Sequence, residues 1–147
     1  MKKLVAFFTV LLLAGTVTAQ RTEVPSIVKN RFAALYPDVK KVEWEQEGVN
    51  YEAEFELNKT ETSVVFDAQG NLLATETEIA PEALPQAAKD YLAKTVPGKK
   101  ITEATKITGA DELVTYEAEA GGKDYVFDVN GNFIGMEGDN KDDGKDD

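Results

Sequence analysis

Tyr51-Glu52-Ala53-Glu54-Phe55-Glu56-Leu57 alternates apolar and acidic residues without a break, and Tyr116-Glu117-Ala118-Glu119-Ala120 returns to the same pattern in the second half of the chain. A period of two belongs to a strand, because successive side chains leave opposite faces of a sheet. One apolar and one charged face predicts an antiparallel sheet covered on one side only. The flanking segments agree. Val42 and Trp44 alternate with Glu43 and Glu45, and Val114 continues the apolar set of the second pattern. Val65-Phe66-Asp67-Ala68-Gln69-Gly70-Asn71-Leu72-Leu73 recurs as Val126-Phe127-Asp128-Val129-Asn130-Gly131-Asn132-Phe133-Ile134. Asp67 to Gly70 and Asp128 to Gly131 suit a type I turn closed by a left-handed glycine. Asn58-Lys59 and Gly121-Gly122 read as tight hairpin turns.

Upstream of each strand pattern the period changes to that of a helix. Val24, Ile27, Val28, Phe32 and Leu35 share one helical face, with Arg31 as a polar intruder. Leu84, Ala87, Ala88, Tyr91, Leu92 and Val96 do the same. Pro25 and Pro85 stand where a helix begins and a missing N–H is harmless. Pro37 and Pro97 push the residue before them out of the helical region and end each helix. The same signals in the same order, twice, predict a tandem duplication. The expected fold is α+β, each repeat one helix packed on a roughly four-stranded antiparallel sheet. The expected units are residues 20–80 and 81–137.

The two ends read differently. Lys2 and Lys3 precede an apolar run from Leu4 to Leu13, and small residues lead to Ala19. That is a signal peptide over residues 1–19, cut after Ala19. The run is shorter than the roughly 20 residues that a membrane-spanning helix needs, so no membrane insertion is expected after cleavage. The expected location is periplasmic or secreted. Residues 138–147 carry Asp and Lys with no apolar side chain, which predicts an acidic disordered tail.

Composition removes much chemistry. The 147 residues include no His and no Cys. No Ser-His-Asp triad, imidazole ligand, thiolate nucleophile or disulfide is available. Lys and Arg number 16 against 27 Asp and Glu, for a net charge of −11, which argues against nucleic acid as a partner. Ser26 and Ser63 lie in no Gly-x-Ser-x-Gly elbow. The expectation is a non-enzymatic protein with no catalytic residue, no cofactor and no defined metal site.

The order Val-Pro, helix, Tyr-Pro, Val-x-Trp, Tyr-Glu-Ala-Glu-Phe and Phe-Asp-x-x-Gly-Asn, followed by Leu-Pro and a second copy, resembles the PepSY-like proteins, also called beta-lactamase-inhibitor-like. The resemblance runs from Val24 to about Gly135. It implies two helix-plus-sheet repeats side by side in an exported bacterial protein. The second copy departs from the first: Ala104 stands near the place of Trp44. The shared motifs are turns, helix ends and core aromatics, so the resemblance carries over no functional residue.

The candidate surface is the acidic side of the first repeat, Glu43, Glu45, Glu52, Glu54 and Glu56, with Trp44 as a candidate anchor. If the Val42–Trp44 strand pairs with Tyr51–Leu57, these carboxylates and Glu47 share one face. Like charges directly opposite each cost roughly 0.2–1 kcal/mol, so the face is kept either for solubility or for a ligand. A basic partner and a calcium ion both fit. Trp44 is either sheet core by parity with Val42 or part of a groove. Two readings of function follow. One is an exported binding module for a protein or peptide, with inhibition of an exported hydrolase suggested by the family name. The alternative is an acidic cation-binding or envelope-stress protein without a protein partner. A carbohydrate-active enzyme would need a desolvated carboxyl pair in a cleft.

Overall fold

The computed structural model describes residues 23–136. The expected signal peptide and acidic tail lie outside the described residues. The chain runs α1 (Ser26–Leu35), β1 (Glu43–Glu47), β2 (Asn50–Leu57), β3 (Thr60–Phe66) and β4 (Leu72–Glu78). A 3-10 turn at Pro81–Ala83 leads to α2 (Gln86–Thr95), β5 (Ile101–Gly109), β6 (Val114–Ala120), β7 (Asp124–Asp128) and β8 (Phe133–Met136). Helix followed by four strands thus occurs twice in order. The strands form one antiparallel sheet in chain order, β1 to β8. Two separate sheets do not form, because β4 pairs with β5 from Ala74 opposite Gly109 to Glu78 opposite Thr105. That seam satisfies the edge groups that two four-stranded sheets would each leave open.

Both helices lie on one face of the sheet, and the core divides between them. Val24, Val28 and Phe32 pack on Ala53, Phe55, Val64 and Phe66. Leu84, Ala88 and Leu92 pack on Ala104, Ala118, Ala120, Tyr125 and Phe127. The buried stripe of each helix has a strict four-residue step and is narrower than the sequence suggests. Ile27 and Leu35 are exposed at 55% and 37%. The two halves fill the same space with different side chains. Phe32 meets Trp44 and Phe55 edge-on at 5.4 and 5.1 Å between ring centroids. In the second half small Ala104 and Ala120 are offset by Tyr91, which stacks on Phe133 at 4.6 Å. Packed interiors tolerate such exchanges of apolar residues when overall volume is kept.

The turns hold the layers together. Asp67 accepts hydrogen bonds from the backbone N–H groups of Gln69 and Asn71 and from the Asn71 amide. Asp128 repeats this with Asn130 and Asn132. Each turn ends on a glycine in the left-handed region, Gly70 and Gly131. A Cβ on Gly131 would come within 2.7 Å of Pro85 Cβ and 2.8 Å of the Ala88 nitrogen at the start of α2. Glycine is required there by backbone conformation and by close approach together. Asn58-Lys59 and Gly121-Gly122 both adopt positive φ, the primed hairpin geometry.

Candidate functional site: the carboxylate face of the sheet

With both helices on one side, the other face of the sheet is left to the residues of opposite parity. Register places them in rows. Glu45 stands opposite Glu52, and Glu43 opposite Glu54. Glu54 faces Ser63 in β3, and Ser63 faces Glu76 in β4. Glu56 faces Glu61. In the second half Glu103 stands opposite Glu119, which faces Asp124. The strands contain one cation, Lys106, opposite Thr77 and Tyr116 on the helix side. Every strand residue of the carboxylate face is therefore acidic or neutral.

The expected set Glu43, Glu45, Glu52, Glu54 and Glu56 is brought onto one face. It is not uniformly solvated. Glu43, Glu45 and Glu56 are exposed, Glu54 is half-buried, and Glu52 is 2% exposed. Burial raises the Glu52 pKa, Ser63 hydrogen bonding opposes that rise, and the nearby Glu45 charge adds to it. The Glu54 carboxyl is pushed up to about 7, first by burial and then by Glu52, Glu45, Glu43 and Glu61. Glu103 and Asp124 are raised at the far end, again by burial first and then by Glu119. Among the described residues Glu45, Glu52 and Glu54 bring one carboxylate oxygen each within 4.8 Å of one another.

Trp44 points to the other side of the sheet. It is half-buried, packs edge-on against Phe32, and borders a shallow groove of about 290 Å³ with Tyr36, Val39 and Val42. Trp44 and the carboxylates therefore do not form one surface. The parity that aligned Trp44 with Val42 gave its side correctly.

Three buried neighbours of Glu52 and Glu54 on the carboxylate face are absent from the sequence-derived set. Ser63 is fully buried and donates from Oγ to Glu76 Oε2 at 3.5 Å. Glu76 is itself 2% exposed. Val65, opposite Glu52, is 6% exposed although it points away from the helices. The signal was the run Val64-Val65-Phe66, which has no polar alternation and marks a strand buried on both faces. Val65 and Ala74 floor a cavity of about 420 Å³, bordered by the β1–β2 hairpin from Glu47 to Asn50.

Comparison with known proteins agrees with this architecture. The model of the family described as "Putative beta-lactamase-inhibitor-like, PepSY-like" matches residues 16–74 and 50–135. A "putative periplasmic" protein of Bacteroides eggerthii superimposes with a TM-score of 0.70 at 17% identity, covering 77% of this chain and 87% of that one. A DUF2874 family protein of Bacteroides uniformis gives 0.68 at 22% identity, covering 76% and 87%. A BLIP-like protein of Bacteroides fragilis gives 0.57 at 26% identity, covering 76% and 84%. No curated protein matches. Among the described residues no helix is long and apolar enough to cross a membrane. With both halves of the fold matched, the chain belongs to the PepSY-like, beta-lactamase-inhibitor-like family.

Proposed function

We propose that the protein is an exported, non-enzymatic binding module, built by duplication of a helix-plus-four-strand unit, that engages a basic surface of an exported protein through its carboxylate face. The observation that carries this reading is the charge segregation of the sheet, with acidic rows on the open face and its one strand cation on the covered face. Seven strand spacings and strands of about seven residues span roughly 34 by 20 Å. That is about 700 Å², near the roughly 800 Å² each partner contributes to a standard interface. Opposed like charges lose stability in the free protein, and a basic partner relieves the repulsion while speeding encounter.

The absence of His and Cys and the full burial of Ser63 support a non-enzymatic role. The family description and the BLIP-like relative of Bacteroides fragilis make an exported hydrolase the first partner class to try. The experiment is capture from periplasmic extract at low and moderate salt, in parallel with a Glu56→Gln/Glu78→Gln/Glu117→Gln variant. A partner held reproducibly by the parent, released as salt rises and lost with the variant supports the reading. Equal capture by parent and variant counts against the face. No reproducible partner at either salt counts against the binding module.

A further inference from the structure

One corner of the carboxylate face differs from the rest in holding an unmatched buried oxygen. Glu52 is 2% exposed, and its Oε1 has no hydrogen-bond partner. A buried carboxylate oxygen without a donor is costly, and native structures rarely leave one without a reason. Among the described residues no strand places a cation on this face, Lys106 being on the helix side. What lies beside Glu52 is more negative charge, with carboxylate oxygens of Glu45 and Glu54 within the same 4.8 Å envelope. We infer that Glu45, Glu52 and Glu54 form a binding site for a calcium-sized divalent cation that takes the orphaned oxygen of Glu52 as a ligand.

The geometry favours such an ion over other occupants. Hard divalent cations are held by several oxygens, and calcium accepts 6–8 of them at about 2.3–2.6 Å. Three oxygens that all lie within 4.8 Å of one another can share one ion, and calcium tolerates an irregular ligand set, whereas magnesium demands near-ideal octahedral geometry at about 2.0–2.1 Å. The three ligands differ in burial in a useful way. Glu52 is anchored in the sheet between β1 and β3, Glu54 is half-buried, and Glu45 is exposed. The exposed side admits the ion and leaves room for water ligands, while Val65, the register partner of Glu52, keeps the inner side apolar. Three carboxylates outweigh the two charges of the ion, so no anion is needed to complete the site. The site lies on the face assigned above to a partner, but it requires no partner to be present.

The test is titration calorimetry of the exported protein, first stripped with EDTA, using calcium chloride alone and then magnesium chloride, with a thermal melt of each sample. One saturable calcium event per chain is expected, with a dissociation constant of about 10⁻⁴–10⁻³ M, the range of extracellular calcium modules. Glu52→Gln keeps the volume and removes the unmatched charge, so it is expected to fold and to melt in EDTA no lower than the parent. It is expected to lose at least about tenfold in calcium affinity, since affinity follows the number of charged ligands. Glu119→Gln, in the second half of the sheet, is expected to bind as the parent does. No heat and no melting shift up to about 10 mM calcium, ten times the weak end of that range, overturns the inference. So does binding that Glu52→Gln leaves unchanged, which would assign the heat to diffuse condensation on the acidic face. Magnesium binding as tightly as calcium overturns the size assignment.

Discussion

Glu43 and Glu54 stand directly opposite each other across the β1–β2 ladder, two rungs from the Glu45–Glu52 pair, so four carboxylates are neighbours on one face of the hairpin. The hairpin is closed by its other face, where Trp44 and Ala53 are paired and packed under α1. Apolar burial on the helix side thus holds together charges that repel on the open side. Burial first, and then this repulsion, pushes the Glu54 carboxyl up to about 7.

The first prediction concerns pH. A carboxyl raised on folding binds its proton more tightly in the native state than in the unfolded chain. Between about 4.5 and about 7 the folded protein therefore holds more protons, and its stability falls as pH rises through that window. Above it the loss is complete. Glu54→Gln removes the charge, so in EDTA the variant is expected to be more stable than the parent at pH 8. The gain is about 1 kcal/mol once solvent screening of this partly exposed group is allowed for. The difference should close toward pH 4. Urea unfolding across the range checks it, and a variant less stable than the parent at pH 8 contradicts the sign.

The Asp67 and Asp128 turns predict the opposite pH response. Hydrogen bonds from the Asn71 amide and backbone, then from Gln69 and Gly70, hold the Asp67 carboxyl below its ordinary value, and Asp128 follows suit with Asn132 first. A lowered native pKa gives stability that is present above the unfolded value and is lost as pH falls through the folded one. Asp67→Ala and Asp128→Ala are each expected to lower the melting temperature at pH 7 and to shrink the acid-induced fall. Equal melting of parent and variants at pH 7 would show the turns to be passive.

The fold offers a test of how the two halves are joined. Phe32 sits among Tyr36, Trp44 and Phe55, with centroids 5.1–5.4 Å away. Phe32→Ala is expected to cost about 3–5 kcal/mol, the usual loss for a large buried ring. Because β4 and β5 pair along the seam, the loss should appear in one cooperative transition. Trp44 fluorescence reports the first half and far-ultraviolet circular dichroism the whole sheet. Coincident curves are expected; a first transition seen only by Trp44 would mean that the halves unfold separately.

These relationships were unequally legible in the residues. The alternation of Tyr51 to Leu57 gave the strand and its faces, because side-chain parity is local. The Asp67 and Asp128 turns were readable for the same reason: the turn residue, its bonded backbone groups and the glycine lie within a few positions. The β4–β5 seam was not readable, since Glu76 opposite Ile107 is a pairing across a whole helix. Nor was the burial of Glu52. Parity says which face a side chain takes, not how deeply its neighbours cover it, and the cover comes from β1 and β3 through long-range register. Helix spacing likewise overstated the core at Ile27, where α1 turns a flank of its apolar side to solvent.

Glycine substitutions give the last prediction, since three glycines share a left-handed φ but differ in surroundings. Gly48 has φ +59° and open space where a Cβ would go. Gly70 has φ +82°, and a Cβ would meet the Ile27 carbonyl oxygen at 3.3 Å. Gly131 has φ +85°, and a Cβ would meet Pro85 and the Ala88 nitrogen at 2.7 and 2.8 Å. The backbone strain of alanine, about 1–2 kcal/mol, is common to all three. Contact then separates them. At Gly70 the neighbour must give by a few tenths of an ångström, whereas at Gly131 the turn must move off α2 or the helix start must shift. Gly131→Ala is therefore expected to be the most destabilising, Gly70→Ala intermediate and Gly48→Ala the least, as read by urea midpoints at constant slope. Equal losses at Gly131 and Gly48 would mean that backbone conformation alone selects these glycines and that the packing of the second turn on α2 is looser than its geometry implies.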